Sequence, residues 1–543
     1  MTGARIREAG DSALLVELDA VIDPEINARV IAIAAALQSE RLAGVRDVVP
    51  TYRSVALHFD PLVIGVDAVR AAVERALDAR PRRAQTRSIE VPVVYGGDAG
   101  PDLGEVAGWA GLAPDVVAQL HASATYRVFM LGFLPGFPYL ASVDERIAAP
   151  RRAVPRVRVP AGSIGIAGRQ TGIYPMESPG GWNIIGRTGV RLFDPSRVPP
   201  ALFQPGDAVR FLRSSTTEVP IDDVVPAATS ATVNAASRSV TVLRPGLFTT
   251  VQDGGRWGHQ AYGVPVSGAL DYVSHRVANA VLGNAPEAAT IEVTLSGPEL
   301  RFEHDAKVAV AGADLQAAVD GARLPLGAAA ECRAGGVLRF GERRSGTRAY
   351  VAFDGGVDVT PVLGSRATHV RAGLGGYRGR ALAAGDRLTL GPPGGLQARA
   401  VRSPGISITG GAKLRVLPGP QQEFFPESAL ALLEESRFVV TPNSDRMGYR
   451  LSGARLPRIE NMEMISDAAF AGGIQVPASG EPILLMADRQ TTGGYPQIAV
   501  VVTADLAKAG QLAPGDWVEF VRCSRAEAID ALAAQEAMFG ASR

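Results

Sequence analysis

Three short phrases recur in the same order in the two halves of the chain, and this repeat restricts the possible folds more than any other feature. AGRQTGIYP at residues 167–175 resembles ADRQTTGGYP at residues 487–496. Two further pairs flank these RQT phrases: VPAG (159–162) with VPASG (476–480), and PGDAVRF (205–211) with PGDWVEF (514–520). Three matched segments in one order indicate a duplicated domain rather than chance similarity.

The second RQT phrase joins two apolar runs, which predicts a strand, a polar loop and a second strand. Asp488, Arg489, Gln490 and Tyr495 all lie in this loop. Buried strands on both sides can hold such groups in a fixed geometry, so the loop is a candidate site. If the two RQT loops form one composite site, Arg169 and Arg489 should both be needed for activity.

Composition and periodicity divide the 543 residues into several domains. Helical spacing beside strand-like runs predicts an α+β domain first, and the dense Gly and Pro residues farther along predict the short strands and turns of β-barrels. A stretch rich in Ser, Thr, Ala and Pro is typical of a linker. The predicted segments are an α+β domain at 1–80, a β-barrel at 85–213, the linker at 214–236, a β-rich domain at 237–395, a second β-barrel at 396–525, and a C-terminal helix and tail at 526–543.

Charge and hydropathy exclude several classes of partner. The 55 basic and 55 acidic residues balance, and no basic tract indicates nucleic acid. No N-terminal apolar segment and no apolar run of about 18 residues occurs, so we expect neither export nor a membrane span. Cys332 and Cys523 lie far apart and form no CxxC motif, which favours a reducing cytoplasm.

Missing motifs exclude several chemistries. The chain has no Gly-Lys dipeptide, and therefore no Walker phosphate loop, and it has no GxSxG nucleophile elbow. The six histidines show no metal-ligand spacing, so we predict no zinc site and assign no residue as a metal ligand. No lysine lies beside a methionine, and we expect no covalently attached biotin.

One polar cluster spans residues 249–271, TTVQDGGRWGHQAYGVPVSGALD. Its glycines would let a ligand approach backbone N–H groups, although a purely structural loop is the alternative. His259 is the best candidate for a general acid or base because it lies in this polar loop. The other candidates in the cluster are Arg256, Ser267 and Asp271.

Two further clusters are candidates. NSDRMGYRLSG at 443–453 contains Ser444, Asp445 and Arg446, and GFLPGFPYL at 132–140 places Phe137 among turns, as a pocket wall or as ordinary core. Arginines in these clusters and in the RQT phrases could bind phosphate, carboxylate or carbonate oxygens. The aspartates could hold a magnesium ion or position a nucleophile.

These phrases resemble one family along residues 5–522. GFLPGFPYL, PRRAVPRVRVPAGSIGIAGRQTGIYP and SPGGWNIIGRT resemble the B subunit of the prokaryotic ATP-dependent 5-oxoprolinase, the Kip inhibitor family. PGLFTTVQDGGRWGHQAYGVPVSGALD, SDRMGYRLSG and LLMADRQTTGGYPQI resemble its C subunit, the Kip antagonist family. The resemblance implies a natural fusion of the B and C subunits, joined at 214–236.

The resemblance also implies a fold and an activity. The fold is mainly β with α+β: a small N-terminal α+β domain and cyclophilin-like β-barrels in tandem. The B and C subunits of that family activate 5-oxoproline with ATP, together with Mg²⁺, and a separate A subunit completes hydrolysis to glutamate. Activation needs phosphate-binding groups and a water-poor pocket.

Residue roles follow from that implied activity. The expected catalytic residues are His259, Asp271, Arg489, Gln490 and Tyr495, with His259 and Asp271 handling protons. The expected substrate-binding residues are Arg169, Gln170, Tyr174, Phe137, Arg256, Ser267, Ser444, Asp445, Arg446 and Asp488.

Two alternatives stay open at this point. Relatives of the family include the carboxyltransferase region of urea carboxylase and proteins named allophanate hydrolase, which implies carboxyl transfer to a urea-like amide from biotin on another protein. The Kip names imply instead a regulator that binds a sensor histidine kinase. In every case we expect a small molecule or a protein as the partner, a cytoplasmic location and possible homo-oligomers.

Overall fold

The structure is a computed structural model that describes residues 3–80, 86–215, 237–393, 396–399, 401, 408–459, 462 and 464–540. Of the linker predicted at 214–236, only residues 214 and 215 fall within these ranges. Among the residues described, no helix is both long and apolar enough to cross a membrane.

The N-terminal domain is a four-stranded sheet, in the order β1-β2-β4-β3, covered by two helices. Asp23 caps the first helix by accepting hydrogen bonds from two backbone N–H groups, and Pro24 occupies its first turn, as the sequence predicts. Val30, Ile33 and Leu37 form its buried face. The elements are β1 (Arg5–Glu8), β2 (Ala13–Glu17), α1 (Pro24–Glu40), β3 (Val45–Pro50), β4 (Ser54–Phe59) and α2 (Val66–Ala76).

The next region is a closed barrel of seven strands with a two-stranded ribbon, β8 and β11, beside it. Helix α3 was not predicted, because Gly104 and Gly108 weaken its helical signal. The elements are β5 (Ser88–Tyr95), α3 (Leu103–Ala110), α4 (Pro114–Ser123), β6 (Thr125–Leu131), β7 (Pro138–Ala141), β8 (Arg156–Val159), β9 (Ser163–Ala167), β10 (Gln170–Ile173), β11 (Ser178–Gly180), β12 (Asn183–Arg187) and β13 (Ala208–Arg213).

Two sheets, of six and five strands, follow and enclose a common apolar core. The six-stranded sheet has the order β20-β19-β22-β17-β14-β24, and the other has the order β15-β16-β23-β18-β21. The elements are β14 (Ser239–Arg244), β15 (Phe248–Gln252), α5 (Tyr272–Val281), β16 (Thr290–Thr294), β17 (Glu299–Phe302), β18 (Ala306–Asp314), β19 (Ala318–Val319), β20 (Ala322–Arg323), β21 (Ala329–Cys332), β22 (Val337–Arg339), β23 (Ser345–Phe353) and β24 (Arg387–Thr389).

A second closed barrel of seven strands completes the fold, again with a small ribbon, β28 and β31. The expectation of tandem barrels in a mainly β protein with an N-terminal α+β region is therefore confirmed. The elements are β25 (Gly411–Pro418), α6 (Glu427–Glu435), β26 (Arg437–Val440), β27 (Gly448–Ser452), β28 (Asp467–Ala468), β29 (Gly473–Gln475), β30 (Ile483–Leu485), β31 (Thr492–Gly493), β32 (Gln497–Val501), α7 (Thr503–Gly510), β33 (Trp517–Arg522) and α8 (Arg525–Ala537).

The two barrels have the same topology. When the seven strands of each barrel are numbered along the chain, both barrels close in the cyclic order 1-6-4-5-3-2-7. In each barrel the first and seventh strands pair in parallel, β5 with β13 and β25 with β33. The PGD phrases lead into these seventh strands, so they mark equivalent positions in a duplicated unit.

The RQT phrases, in contrast, occupy different positions in the two barrels. The first spans the turn between strands 4 and 5 of its barrel, whereas the second follows strand 5 and precedes strand 6. The GGW of residues 180–182 in the first barrel corresponds in topology to the GGY of residues 493–495 in the second. Matching the two RQT phrases to each other is therefore wrong, because polar turn sequences suit either junction and only strand order distinguishes them.

The N-terminal domain packs against the C-terminal half. Asp11 accepts hydrogen bonds from the backbone N–H and the hydroxyl of Thr503, at 3.0 and 2.7 Å, at the start of helix α7. Asp47 accepts from the backbone N–H of Gly258 at 2.9 Å and from the side-chain amide of Gln260 at 3.0 Å. Both carboxylates are buried, so these contacts tie the two halves together across the interior.

Candidate functional site

A cavity of about 1180 Å³ lies between the two barrels, and both barrels supply its walls. From the first barrel it receives four predicted site residues, Phe137, Arg169, Gln170 and Tyr174. From the second barrel it receives three more, Asp445, Gln490 and Tyr495. Residues of both RQT loops thus line one cavity, although the loops are not topological equivalents.

Aromatic rings form the wall on the side of the first barrel. Phe137 makes edge-to-face contacts with Tyr139, Tyr174 and Trp182, with ring centroids 4.9, 5.2 and 5.6 Å apart. This is the preferred geometry for aromatic pairs, so the rings form a rigid, water-poor surface. Trp182 was not among the predicted site residues. The sequence feature that could have indicated it is the match between its GGW phrase and the GGY phrase that contains Tyr495.

Phe133 extends this aromatic wall from a strained backbone conformation. Its φ angle is +63°, in the left-handed region that a bulky residue rarely adopts. The backbone N–H of Phe133 donates a hydrogen bond to Thr492 Oγ1 of the second barrel at 3.1 Å. Thr492 also bonds Tyr139, and burial raises the pKa of Tyr139 to about 12 despite that bond. One threonine of the second barrel therefore fixes two residues of the first.

The N-terminal domain supports the cavity wall through Tyr52, which lies behind the lining residues. This fully buried residue donates its hydroxyl to Gln170 Oε1 at 3.1 Å and packs against Phe129 and Tyr139. With its oxygen engaged, Gln170 has its amide N–H groups available to a ligand oxygen.

The polar lining of the cavity is strongly cationic. Among the described lining residues, Asp445 supplies one carboxylate and arginines supply five guanidinium groups. The guanidinium groups belong to Arg151, Arg169, Arg371, Arg450 and Arg458. Of these, Arg169 pairs with Glu145 at 2.8 Å outside the cavity. This excess of fixed positive charge suits polyanionic and carboxylate ligands.

Asp445 is held in a defined orientation. Its Oδ1 accepts hydrogen bonds from the backbone N–H groups of Met447 at 2.8 Å and Gly448 at 3.3 Å. Asp445 is exposed, and it is the lining carboxylate that could ligate a magnesium ion brought with a nucleotide. Its neighbour Ser444 accepts from the backbone N–H of Arg450 at 3.1 Å and does not line the cavity, so the structure gives Ser444 a role in the turn.

Arg489, predicted as a catalytic residue, does not line the cavity. It is 3% exposed, and its guanidinium donates to Gln260 Oε1 at 2.9 Å and to the Ala469 carbonyl at 3.2 Å. Burial lowers the pKa of Arg489 to about 10, opposed by the negative charge of Asp47. Arg489 therefore stabilises the junction of the N-terminal domain, the middle sheets and the second barrel, while its neighbour Gln490 lines the cavity.

Arg446 and Asp488 form a buried ion pair behind the cavity wall. Arg446 Nε donates to Asp488 Oδ2 at 3.0 Å, and the same guanidinium also contacts Glu292 and the Gly268 carbonyl, the latter at 2.6 Å. Burial alone would raise the pKa of Asp488, but Arg446 and His369 outweigh it and hold that pKa below its ordinary value. Neither residue lines the cavity, so the substrate-binding role predicted for both stays a prediction.

The remaining residues of the 249–271 cluster also lie outside the cavity lining. Arg256 is 1% exposed and donates to the carbonyls of Val362 and Ala367, both at 2.8 Å. Ser267 is buried, and His259 is half-buried with a pKa that burial and Arg256 lower. The structure therefore places these candidates in the interior loop and apart from the cavity.

Asp271, predicted as a catalytic residue, lies within a network of protein hydrogen bonds away from the cavity lining. It is fully buried at the start of helix α5, where Oδ1 accepts from the Ser274 N–H at 2.9 Å. Its Oδ2 accepts from the Ser274 hydroxyl at 2.5 Å and from Gln511 Nε2 at 2.7 Å. Burial raises the pKa of Asp271, yet the side chain has no path to a ligand, because protein groups engage both oxygens.

Metal-binding clusters do not occur in the part of the chain that the structure describes: no three or more His, Cys, Asp or Glu side chains converge there. The arginines of the cavity are the groups that could hold phosphate oxygens of a nucleotide.

The chain matches two family models. Residues 4–203 match the carboxyltransferase domain, subdomain C and D, and residues 262–522 match the carboxyltransferase domain, subdomain A and B. The first match covers the N-terminal domain and most of the first barrel, and the second covers most of the C-terminal half.

Relatives of each half are also similar at the level of sequence. The chain is 39% identical over 306 residues to the C subunit of 5-oxoprolinase from Escherichia coli (strain K12), covering 55% of this chain and 96% of that protein. It is 40% identical over 223 residues to the B subunit of 5-oxoprolinase from Bacillus subtilis (strain 168), covering 39% of this chain and 93% of that protein.

One solved structure spans nearly the whole chain. The crystal structure of TTHA0988 superposes with a TM-score of 0.85 at 36% identity, over 95% of this chain and 100% of that one. The two halves of this chain therefore occur together in another single polypeptide. This chain belongs to the family of the 5-oxoprolinase B and C subunits, with a B-like half followed by a C-like half.

Proposed function

We propose that this chain is the ATP-using component of a 5-oxoprolinase and that the cavity between the barrels binds 5-oxoproline and ATP. The single observation that carries the proposal is the cationic cavity, with five arginines and one aspartate in its described lining. ATP and the 5-oxoproline carboxylate are both anions, so this field favours both. The names of the relatives supply the substrate.

The chemistry required is activation of a lactam. The lactam oxygen forms a bond to the γ-phosphorus of ATP, the bond from that phosphorus to the β–γ bridging oxygen breaks, and ADP leaves. The lactam N–H proton passes to a base, so the product is a cyclic imidoyl phosphate with a good leaving group. A protein contributes to such a transfer by positioning the reactants and by stabilising charge.

Different residues of the cavity lining would have different roles in this reaction. Gln170 and Gln490 line the cavity, and their amide groups would donate hydrogen bonds to the carbonyl and carboxylate oxygens of the lactam. The aromatic wall around Phe137 excludes water, which would otherwise intercept the activated product. Asp445 is the lining carboxylate available to accept the N–H proton or to hold the magnesium ion.

A separate protein of the A-subunit type would complete hydrolysis to glutamate. The relatives are named as subunits, which supports an enzyme of several different chains. A cytoplasmic location fits this proposal because ATP is an intracellular substrate and both cysteines are free thiols.

A single-turnover experiment tests this function. The purified chain, in excess over ATP labelled with ³²P at the γ-position, is mixed with 5-oxoproline, with and without an A-type partner, and quenched within seconds. We expect ³²P on a 5-oxoproline-derived compound in the chain-only reaction and on inorganic phosphate when the A-type partner is present. ATP that stays intact in both reactions would contradict the proposal.

Carboxyl transfer is the second candidate, favoured by the carboxyltransferase description of both matching family models. A cationic cavity also suits carboxylated biotin and carbonate oxygens. This candidate predicts that the chain transfers ¹⁴C from a carboxylated biotin carrier to a urea-like amide and that it leaves ATP unchanged.

A further inference from the structure

A side pocket of about 420 Å³ opens beside the main cavity, and its position suggests where a nucleotide enters. Trp109, Pro150 and Arg151 line both spaces, so the two are adjacent. The size is within the range of small-ligand pockets. None of the roles described above uses this pocket.

Trp109 presents an open aromatic surface in the side pocket. It lies near the end of helix α3 and is 53% exposed, unlike Trp182 of the main cavity, which is 6% exposed. A tryptophan this exposed at the mouth of a pocket is a platform on which a planar base can stack. The adjacent Glu105 adds a carboxylate at the pocket wall, a group able to accept hydrogen bonds from ribose hydroxyls.

Arg151 lies where the two spaces meet. In the described part of the chain no carboxylate pairs with it, whereas the next residue, Arg152, pairs with Asp102 at 3.0 Å and with Glu105 at 2.5 Å. The charge of Arg151 reaches Tyr139 in the aromatic wall of the main cavity. An unpaired guanidinium between a stacking platform and a cationic cavity is placed to bind phosphate oxygens.

We propose that the side pocket is the nucleoside subsite: the purine base stacks on Trp109, and the phosphate chain passes Arg151 into the main cavity, where the γ-phosphate meets the lactam. This assignment rests on the proposed use of ATP and locates its binding site. It places the nucleoside in the pocket beside the first barrel and leaves the aromatic wall of the main cavity to the lactam.

Equilibrium dialysis with MgATP, adenosine, tripolyphosphate and 5-oxoproline tests the assignment on the full chain. We expect Trp109→Ala to weaken MgATP and adenosine binding by about tenfold or more and Trp109→Phe to retain most of the affinity, because a stacked ring survives. Arg151→Ala should weaken MgATP and tripolyphosphate binding but leave adenosine binding unchanged. The two Trp109 variants should bind 5-oxoproline like the unaltered chain.

A matched control is available on the neighbouring ribbon. Arg158 has a side chain that is 75% exposed and pairs with Glu177 outside both spaces, so Arg158→Ala should leave every affinity unchanged. MgATP binding by the unaltered chain, with equal affinity in Trp109→Ala, would overturn the subsite but not the proposed function. Failure of the unaltered chain to bind MgATP at all would overturn both.

Discussion

Thr492 of the second barrel accepts a hydrogen bond from the backbone N–H of Phe133 in the first barrel over 3.1 Å. Gly132 makes this approach possible, since a Cβ at that position would lie 2.0 Å from Thr492 Oγ1. The contact holds Phe133 in the left-handed conformation that extends the aromatic wall. The cavity is therefore shaped jointly by the two halves of the chain.

Thr492→Val should impair this arrangement while keeping the volume of the side chain. We expect the free energy of unfolding to fall by about 1–2 kcal/mol, because a buried N–H loses its acceptor. Activity, measured as kcat/KM for 5-oxoproline, should fall by roughly tenfold or more as Phe133 leaves its place in the wall. Gly132→Ala should have a similar effect on kcat/KM, through displacement of the Thr492 hydroxyl.

Thr441→Val is the control for this pair, since the buried Thr441 hydroxyl has no hydrogen-bond partner among the described residues. Thr441→Val should change the free energy of unfolding by no more than about 0.5 kcal/mol and should leave kcat/KM for 5-oxoproline unchanged. Equal activity of Thr492→Val and Thr441→Val would show that the contact between the barrels does not shape the site.

Arg489→Ala and Arg169→Ala should differ sharply in their effect on stability. Arg489 is buried and bonds Gln260, and its charge offsets that of buried Asp47, so its loss should cost about 3–5 kcal/mol of unfolding free energy. The side chain of Arg169 is 59% exposed and makes a surface ion pair, so its loss should cost about 0–1 kcal/mol. Urea unfolding curves for the two variants measure this difference.

The same two variants separate stability from ligand binding. Because Arg169 lines the cavity and Arg489 does not, Arg169→Ala should raise the KM for an anionic ligand while the protein stays fully folded. Similar unfolding midpoints for both variants would contradict the buried role of Arg489.

Asp445→Asn should remove the carboxylate of the cavity and keep its geometry. An asparagine oxygen can still accept from the Met447 and Gly448 N–H groups, so the turn should persist and thermal stability should change little. If Asp445 accepts the lactam proton, kcat should fall by about 10²–10⁴-fold. An unchanged kcat would remove Asp445 from the chemistry, and a change confined to the magnesium requirement would assign it to the metal.

Stability should decline in acid because of a buried histidine, His121. Its ring bonds the hydroxyls of Tyr95 and Thr171 and stacks on Phe211. Burial lowers the pKa of His121 from 6.5 to about 3 in the folded chain. Between these values the unfolded chain binds a proton that the folded chain excludes, so stability present above pH 6.5 is lost as the pH falls toward 3.

Urea unfolding at pH 7, 6 and 5 measures this effect. The contribution of His121 should approach about 1 kcal/mol per pH unit below pH 6. His121→Gln should be less stable at pH 7, since it disturbs the Tyr95 and Thr171 bonds, but its stability should decline less steeply with falling pH. Equal slopes for the two proteins would contradict a neutral buried imidazole.

Local signals in the sequence indicated short strands and the first barrel, whereas the tandem pair of barrels was expected from the family resemblance and agreed with the repeated phrases. Gly- and Pro-rich turns, alternating short strands and the PGD phrases before each seventh strand all depend on neighbouring residues. Helix α3 was not predicted because its glycines weaken the helical pattern of the sequence. The match between the two RQT phrases carries no information about the order of strands in a barrel. The sequence therefore could not show that these phrases occupy different junctions.

The site was harder to predict because exposure is a property of the whole fold. Gln490 and Arg489 are adjacent, yet the first lines the cavity and the second is buried beneath it. Likewise, Asp445 lines the cavity, and the adjacent Arg446 is buried behind it. Polar residues at domain junctions and polar residues in a ligand site have the same composition, so the sequence alone assigned both groups to the site.

The most direct test of the central claim is a measurement of ADP and glutamate formed by the unaltered chain with an A-type partner, ATP and 5-oxoproline. We predict equal amounts of the two products when all components are present, no glutamate above background when any one is omitted, and about one equivalent of ADP per chain when only the A-type partner is missing. Glutamate formation without this chain, or no ADP from a mixture with a partner known to be competent, would contradict the assignment of ATP-dependent activation to this protein.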